Sequence, residues 1–198
     1  EGSDDRELPG NAGSRTPAVS IDRPDPSVVD ALVDLWVALA TDQRAHDSHI
    51  LPDENRALVR DTLARHAVTG SVRVARARGA DEPIGFVAFD IEHGAYEQDE
   101  TRGIVRNVYV EPAYRRNGVG GALMDEAEAA LRDAGATVVT LEAMAGNRSA
   151  REFYRERGYE PHRVQFEKPV EGGTEGSSHS ERATVEPSAE NDTHSKED

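Results

Sequence analysis

The sequence predicts one α/β (α+β) domain in which helices cover a mixed β-sheet. Its 198 residues are 36% hydrophobic, which is enough apolar material for one core but not for two. Segments with strand-like alternation and segments with helical spacing follow one another in the order β-α-α-β-β-β-α-β-α-β. Residues 1–17 and 169–198 are rich in Gly, Ser, Asp and Glu. We therefore expect a disordered N-terminal segment, a domain over residues 18–168 and a disordered acidic tail.

The first two elements are a short strand and a helix. Residues 18–22 alternate as a strand does. Asp25, Pro26 and Ser27 then start a helix that runs to about residue 40, because aspartate caps helix N-termini and proline fits the first turn. Its apolar stripe consists of Val29, Leu32, Val33, Trp36 and Leu39.

The middle of the chain predicts a second helix followed by three strands. The helix covers residues 54–66. Residues 71–77 and 83–92 alternate on either side of a turn that contains Gly and Asp, so they form a hairpin. Residues 104–110 form the next strand.

Two more helices and two more strands complete the domain. Residues 119–134 and 147–157 have helical spacing, and each helix ends at a glycine. Asn147 caps the second of them. Residues 137–143 form the strand between the helices, and residues 162–168 form a last strand.

The composition argues against several classes of function. The net charge is −15, and only two of the 23 basic residues are lysines, so a polyanion such as nucleic acid is not an expected partner. The sequence has no cysteine and no 18-residue apolar run, which argues against disulfides and membrane spans and favours a cytoplasmic location. The acidic, lysine-poor composition fits a halophile protein with an acidic surface, and it also fits a GC-rich genome.

A glycine-rich segment, RRNGVGG at residues 115–121, lies between a predicted strand and a predicted helix. The N–H groups at the start of a helix have no partner within the helix, and the helix dipole adds partial positive charge there. Glycines allow a ligand to approach this backbone closely, and the arginines add positive charge. The segment therefore predicts a cradle for a diphosphate. The alternative is a tight strand-to-helix connection with an arginine-decorated rim.

A second pattern follows about thirty residues later. Asn147-x-x-Ala150-x-x-Phe153-Tyr154 ends in Gly158-Tyr159 and comes after the next predicted strand. Together with Arg115-x-x-Gly118-x-Gly120 after a Val-Tyr-Val-Glu-Pro strand, it resembles the Gcn5-related N-acetyltransferase (GNAT) superfamily. The resemblance implies a mixed, mostly antiparallel central sheet flanked by helices, in which two splayed strands form a cleft for acetyl-CoA.

The resemblance implies an acyltransferase (transferase) that moves the acetyl group of acetyl-CoA directly to an amine. The splayed strands are residues 104–110 and 137–143. The pantetheine would pair with the first of them, and the backbone N–H groups of the glycine segment would hold the pyrophosphate. The expected cofactor-binding residues are Val108, Tyr109, Val110, Arg115, Arg116, Asn117, Gly118, Val119, Gly120, Gly121, Asn147 and Tyr154. Asn147 can serve as pantetheine contact and as helix cap at once.

Two side chains are the candidates for catalysis. Tyr154 matches the family position of the acid that protonates the departing thiolate; otherwise it packs beside Phe153. An ammonium acceptor must lose a proton before it attacks the thioester, while a backbone N–H near Val110 stabilises the oxyanion. Glu142 is the first candidate for the base, Glu92 and His93 are alternatives, and a water chain is another.

Two acidic loops are expected to surround the acceptor amine. They are residues 41–54, with Asp42, Asp47, Asp53 and Glu54, and residues 93–103, with Glu97, Asp99 and Glu100. Their carboxylates attract a small cationic amine or a protein amino group, or they are solvated surface. His46 and His49 lack further ligands, and no metal is predicted.

Two other functions also fit the sequence. They are a regulatory module that binds acetyl-CoA without catalysis and a scaffold that acts through the acidic tail. A homodimer is also compatible with the resemblance.

Overall fold

The computed structural model describes residues 19–92, 94 and 96–170. The sequence predicts disorder for residues 1–17 and 169–198, and of these, residues 1–17 and 171–198 lie outside the described residues, as does His93. The chain divides into a compact unit that ends at Tyr159 and a separate segment. Residues 160–170 contain no helix or strand, so the prediction of a strand over residues 162–168 is wrong. Alternation shows only that a segment can be extended, and a strand also needs a hydrogen-bonded neighbour.

Five strands and four helices make up the compact unit, within the described residues. The strands are β1 (Val19–Asp22), β2 (Val72–Ala77), β3 (Pro83–Ile91), β4 (Arg102–Val110) and β5 (Val138–Leu141). The helices are α1 (Val29–Arg44), α2 (Arg56–Thr69), α3 (Val119–Asp133) and α4 (Arg148–Glu156). From β1 to α4, the strands and helices occur in the predicted order. None of the helices in this part of the chain is both long and apolar enough to cross a membrane.

The sheet is mixed and mostly antiparallel, as predicted. Its spatial order is β1-β2-β3-β4-β5, and each neighbouring pair is antiparallel except β4 and β5, which run parallel. Chain order and spatial order coincide because β1 to β4 form a meander, into which α1 and α2 are inserted after β1. Helix α3 is the crossover that returns the chain for the parallel β5.

Each face of the sheet is covered by helices. The first hydrophobic cluster joins α1 and α2 to one face and includes Trp36, Phe86 and Tyr109. The second joins α3 to the opposite face and includes Leu123 and Val110. Apolar residues on both faces are buried because the apolar stripes of the helices match the alternating apolar residues of β2, β3 and β4.

A β-bulge in β4 decides which way its last residues face. Ala88 pairs with Asn107, but the next residue of β3, Phe89, pairs with Val105, so Arg106 is an extra residue in β4. Side chains alternate along a regular strand, so Val105 and Tyr109 would share a face without the extra residue. Instead Val105 belongs to the cluster under α3 and Tyr109 to the cluster under α1 and α2. The bulge thereby turns Val110 toward α3.

Candidate active site

The end of β4 has an open edge. β4 pairs with β5 from Arg102 to Val105, β5 ends at Leu141, and β4 continues to Val110. The N–H of Glu111 donates to the carbonyl oxygen of Ile84 beside β3, at 2.9 Å. Because N–H groups alternate along an extended strand, those of Val110 and Val108 point away from β3 and over the edge that β5 leaves open. This edge can accept an extended ligand as an added strand.

The start of α3 provides a second group of backbone donors. The first hydrogen bond of the helix runs from the N–H of Ala122 to the carbonyl of Gly118. The N–H groups of Val119, Gly120 and Gly121 therefore have no backbone acceptor in the part of the chain that the structure describes. No side chain caps this helix, whose first turn contains no acidic residue. An anion is the natural partner of such a terminus.

Two residues of the glycine segment have left-handed backbone conformations. Arg116 has φ of 62° and Gly118 has φ of 80°. A Cβ atom placed on Gly118 would meet no atom within 4 Å, whereas one on Gly120 would lie 3.6 Å from the ring of Phe153. The backbone at Gly118 thus faces open space, while Gly120 faces the side chains of α4. The conformation explains the glycine at 118, because L-residues with a side chain are strained there.

Arg115 is engaged by protein groups. Its Nε donates to the carbonyl oxygen of Val110 at 2.8 Å, and its Nη2 donates to Oδ2 of Asp42 at 2.7 Å. Its guanidinium carbon lies 5.3 Å from the centre of the Tyr109 ring. The predicted cofactor residue Arg115 is thus tied to β4 and α1. Its neighbour Arg116 is also exposed.

Helix α4 is capped by Asn147 and carries Tyr154. The Asn147 side chain accepts a hydrogen bond from the N–H of Ala150 at 3.0 Å, so the predicted cap is confirmed. Tyr154 and Phe153 both pack against the second hydrophobic cluster, with ring centres 5.2 Å apart. Burial raises the pKa of Tyr154 to about 12.

The hydroxyl of Tyr154 is the free end of that side chain. This oxygen has no hydrogen-bond partner among the described residues. It is also not fully buried, unlike the side-chain atoms of Glu92 and Arg157 that lack a hydrogen bond. It therefore keeps some access to the surface while its ring is packed. Tyr154 combines a fixed ring with an available donor.

The end of α4 is linked to α3 by polar side chains. Arg157 donates to Asp125 at 2.5 Å and to Glu128 at 3.2 Å, and the hydroxyl of Tyr159 donates to Glu128 at 2.9 Å. Because α3 starts at the glycine segment and α4 carries Tyr154, these bonds fix Tyr154 relative to the backbone N–H groups at the start of α3.

The candidate bases Glu142 and Glu92 lie at different positions along β4. Glu142 directly follows the last residue of β5 that pairs with β4 and is exposed, so it lies where the strands separate. The N–H of Glu92 donates to the carbonyl of Arg102, and its carboxylate forms an ion pair with Arg102 at 3.2 Å. Arg102 is the first of the nine residues of β4, roughly 25 Å from Val110 at about 3.3 Å per residue. The structure does not bring Glu92 to the open edge.

The two acidic loops are also separated. Residues 41–54 lie near the open edge, because Asp42 contacts Arg115 and a Cβ on Gly146 would lie 3.9 Å from His46. The loop after β3 lies at the other end of β4, where Glu100 accepts a hydrogen bond from Thr137. In the described residues, no three His, Cys, Asp or Glu side chains form a group that could hold a metal.

Comparison with known proteins identifies the family of this fold and site. The family model for the acetyltransferase (GNAT) family matches residues 31–159. The chain belongs to the GNAT family. An uncharacterized N-acetyltransferase of Methanocaldococcus jannaschii is 30% identical over 83 residues. The match spans 42% of this chain and 37% of that relative.

Solved GNAT structures have the same fold. A GCN5-related N-acetyltransferase from Ralstonia eutropha JMP134 has a TM-score of 0.61 and 22% identity, covering 78% of this chain and 100% of that one. The PaiA N-acetyltransferase of Thermoplasma acidophilum, solved with coenzyme A, has a TM-score of 0.59 and 15% identity, covering 75% and 93%. This similarity confirms the expected arrangement of a sheet flanked by helices.

Three features of the site carried no recognisable signal in the sequence. They are the bulge at Arg106, the contact between Asp42 and Arg115, and the bonds of Glu128 with Arg157 and Tyr159. Each depends on residues that are distant in sequence or on a change of register.

Proposed function

We propose that this protein is an acetyl-CoA-dependent N-acetyltransferase that transfers the acetyl group directly to a primary amine. One observation carries the proposal: the unpaired N–H groups at the start of α3 follow directly on an edge of β4 that β5 leaves open. The N–H groups at the start of α3 suit a diphosphate, and those along the open edge of β4 suit an extended amide-containing arm such as pantetheine.

The residues present fit coenzyme A. Within the described part of the chain, the N–H groups of residues 116–121 are available, and the space beside Gly118 is free of protein atoms. Val108 and Val110 direct N–H groups over the open edge. Asn147 caps the start of α4, which follows β5 in the chain. These are the groups that we assign to cofactor binding, and acetyl-CoA supplies the activated acetyl group.

Tyr154 is assigned to the departing sulfur. Its raised pKa keeps the hydroxyl protonated at neutral pH, so it is a permanent donor. Complete proton transfer to a thiolate with an ordinary pKa of about 8.5 would be unfavourable by on the order of 5 kcal/mol. We therefore assign Tyr154 a strong hydrogen bond to the sulfur during C–S cleavage, with solvent completing the protonation.

Glu142 is the favoured base. It is exposed at the point where β4 and β5 separate, which leaves its carboxylate accessible to an ammonium group. The balance of the reaction is simple. The ammonium first loses one proton to Glu142 or to water, and the amine nitrogen then bonds to the acetyl carbon as the C–S bond breaks. The nitrogen loses its second proton to solvent and the sulfur gains one from solvent, so one proton is released overall.

The acceptor class we propose is a cationic amine, either a small molecule or a protein amino group. The loop of residues 41–54 lies near the open edge, and its exposed acids Asp47, Asp53 and Glu54 give it negative charge. Attraction of this kind speeds encounter and weakens with salt.

The decisive experiment is a thiol-release assay with acetyl-CoA against polyamines, aminoglycosides, amino acids and peptide N-termini, at low and at molar salt. Transfer to at least one amine, with kcat lowered at least a hundredfold in Tyr154→Phe because the hydrogen bond to the departing sulfur is lost, supports the enzyme. Calorimetry with acetyl-CoA runs in parallel. Binding without turnover on any amine points instead to a regulatory module, and no binding removes both functions.

A further inference from the structure

Arg115 is the side chain whose contacts the cofactor assignment leaves unexplained. Its guanidinium reaches β4 through the carbonyl of Val110, at 2.8 Å, and α1 through Asp42, at 2.7 Å. The same group lies over the ring of Tyr109, which is 6% exposed. Three contacts to two elements leave an arginine little freedom to follow a ligand.

The position of Asp42 shows that the pair is specific. Asp42 lies in the last turn of α1, where the helix dipole is negative and a carboxylate is unfavourable. Arg115 compensates that charge from outside the helix. Both side chains are nearly half exposed, at 44% for Arg115 and 48% for Asp42. An ion pair that is this exposed contributes little to stability. Its main effect is therefore on the positions of the groups that it joins.

The geometry that the pair controls is that of Val110. In most of a sheet, neighbouring strands on both sides hold a residue in its extended conformation. Val110 has a neighbour only in β3, because β5 ends before it. Arg115 takes the place of the missing neighbour by binding the carbonyl of Val110, and it thereby fixes the N–H of the same residue over the open edge.

We propose that Arg115 is a positioning residue and not a ligand of the diphosphate: together with Asp42 it holds Val110 and ties the end of α1 to the open edge. Because Arg115 already compensates the charge of Asp42, other acidic residues bind the cationic group of the acceptor. The kinetic part of this inference rests on the proposed N-acetyltransferase activity.

The test compares Arg115→Gln, Asp42→Asn and the double variant with the wild-type chain. We expect each variant to lower kcat about tenfold, because the N–H at Val110 is also placed to stabilise the oxyanion of the transition state. The Kd of acetyl-CoA should stay within about twofold, because the diphosphate donors at the start of α3 and the N–H of Val108 are unchanged. The double variant should resemble the single ones, because both substitutions remove the same link. Arg115→Lys should behave like Arg115→Gln, because lysine keeps the charge but not the two directed donors.

A matched control uses another ion pair of α1. Arg56 binds Asp34 of α1 and has the same 44% side-chain exposure as Arg115. The variants Asp34→Asn and Arg56→Gln should leave kcat unchanged. The amide resonance of Val110, followed in valine-labelled protein, should move in the Asp42 and Arg115 variants alike and stay in place in the controls.

The outcomes separate the inference from the proposed function. If Arg115 binds the diphosphate, Arg115→Gln weakens acetyl-CoA binding at least tenfold while Asp42→Asn does not, and the inference is overturned. If the wild-type chain acetylates no amine, the proposed function fails, but the Kd values and the Val110 resonance still decide the role of Arg115. An unmoved Val110 resonance in both variants also overturns it.

Discussion

Replacing Gly118 by alanine tests the diphosphate cradle directly. Gly118 has φ of 80°, and a Cβ there would meet no protein atom within 4 Å. The substitution therefore causes no clash, but an L-residue in this conformation costs about 1–2 kcal/mol. The folded chain therefore loses that stability, and the added methyl group occupies the space beside Gly118 that we assign to the diphosphate, so that the ligand cannot reach all of the N–H groups at the start of α3.

A second glycine separates strain from ligand binding. Gly79, in the turn between β2 and β3, has the same φ of 80°, and a Cβ placed on it would also meet no atom within 4 Å. Gly79→Ala therefore carries the same strain at a place far from α3 in sequence. Both variants should lose about 1–2 kcal/mol of unfolding free energy in urea. Trp36 is the single tryptophan, is 9% exposed and reports unfolding by fluorescence.

Affinity for acetyl-CoA should distinguish the two variants. A hydrogen bond to a charged group contributes about 1.5–3 kcal/mol, so loss of one such bond raises Kd roughly ten- to a hundredfold. We expect that increase in calorimetry for Gly118→Ala and no change for Gly79→Ala. Equal Kd values in the two variants would show that the backbone at the start of α3 does not hold the diphosphate.

Three further predictions concern stability. Because burial raises the pKa of Tyr154 from 10 to about 12, folded chains keep this proton when unfolded ones lose it; the unfolding free energy should fall as pH rises from about 10 to 12, and less so in Tyr154→Phe, as urea titrations at each pH will show. Glu128→Gln weakens the bonds from Arg157 and Tyr159 and should cost about 1–3 kcal/mol in urea unfolding, whereas an unchanged midpoint would mean that they do not fasten α4. Leu123 is fully buried under the sheet, so Leu123→Ala should cost about 2–5 kcal/mol by the same assay, and a smaller loss would contradict its place in the core.

Most of the fold could be predicted because the relevant signals are local. The apolar stripe of α1, the cap at Asn147 and the glycines after α3 and α4 each act within a few residues of their own position. The strand predicted over residues 162–168 failed for the complementary reason. Alternation is a local property, whereas strand pairing requires a neighbour that the local sequence does not specify.

The candidate site divides in the same way. The glycine segment and Tyr154 could be found from motifs, because the proposed anion-binding helix start needs glycines at fixed offsets and the proposed donor, Tyr154, lies at a fixed distance from the helix cap. The positions of Glu92 and of the loop after β3 could not be judged in advance. Their distance from Val110 follows from the direction of β4 in the sheet, which becomes visible only when the strands are paired.

The sequence by itself determined the order of the elements from β1 to α4 and the two motifs, because backbone preferences and helix caps act over short stretches of chain. The tertiary structure alone decided which face Val110 presents, since that depends on the extra residue Arg106 opposite β3. It also decided what Arg115 binds, because Asp42 lies 73 residues away and meets it only when α1 packs across the end of β4.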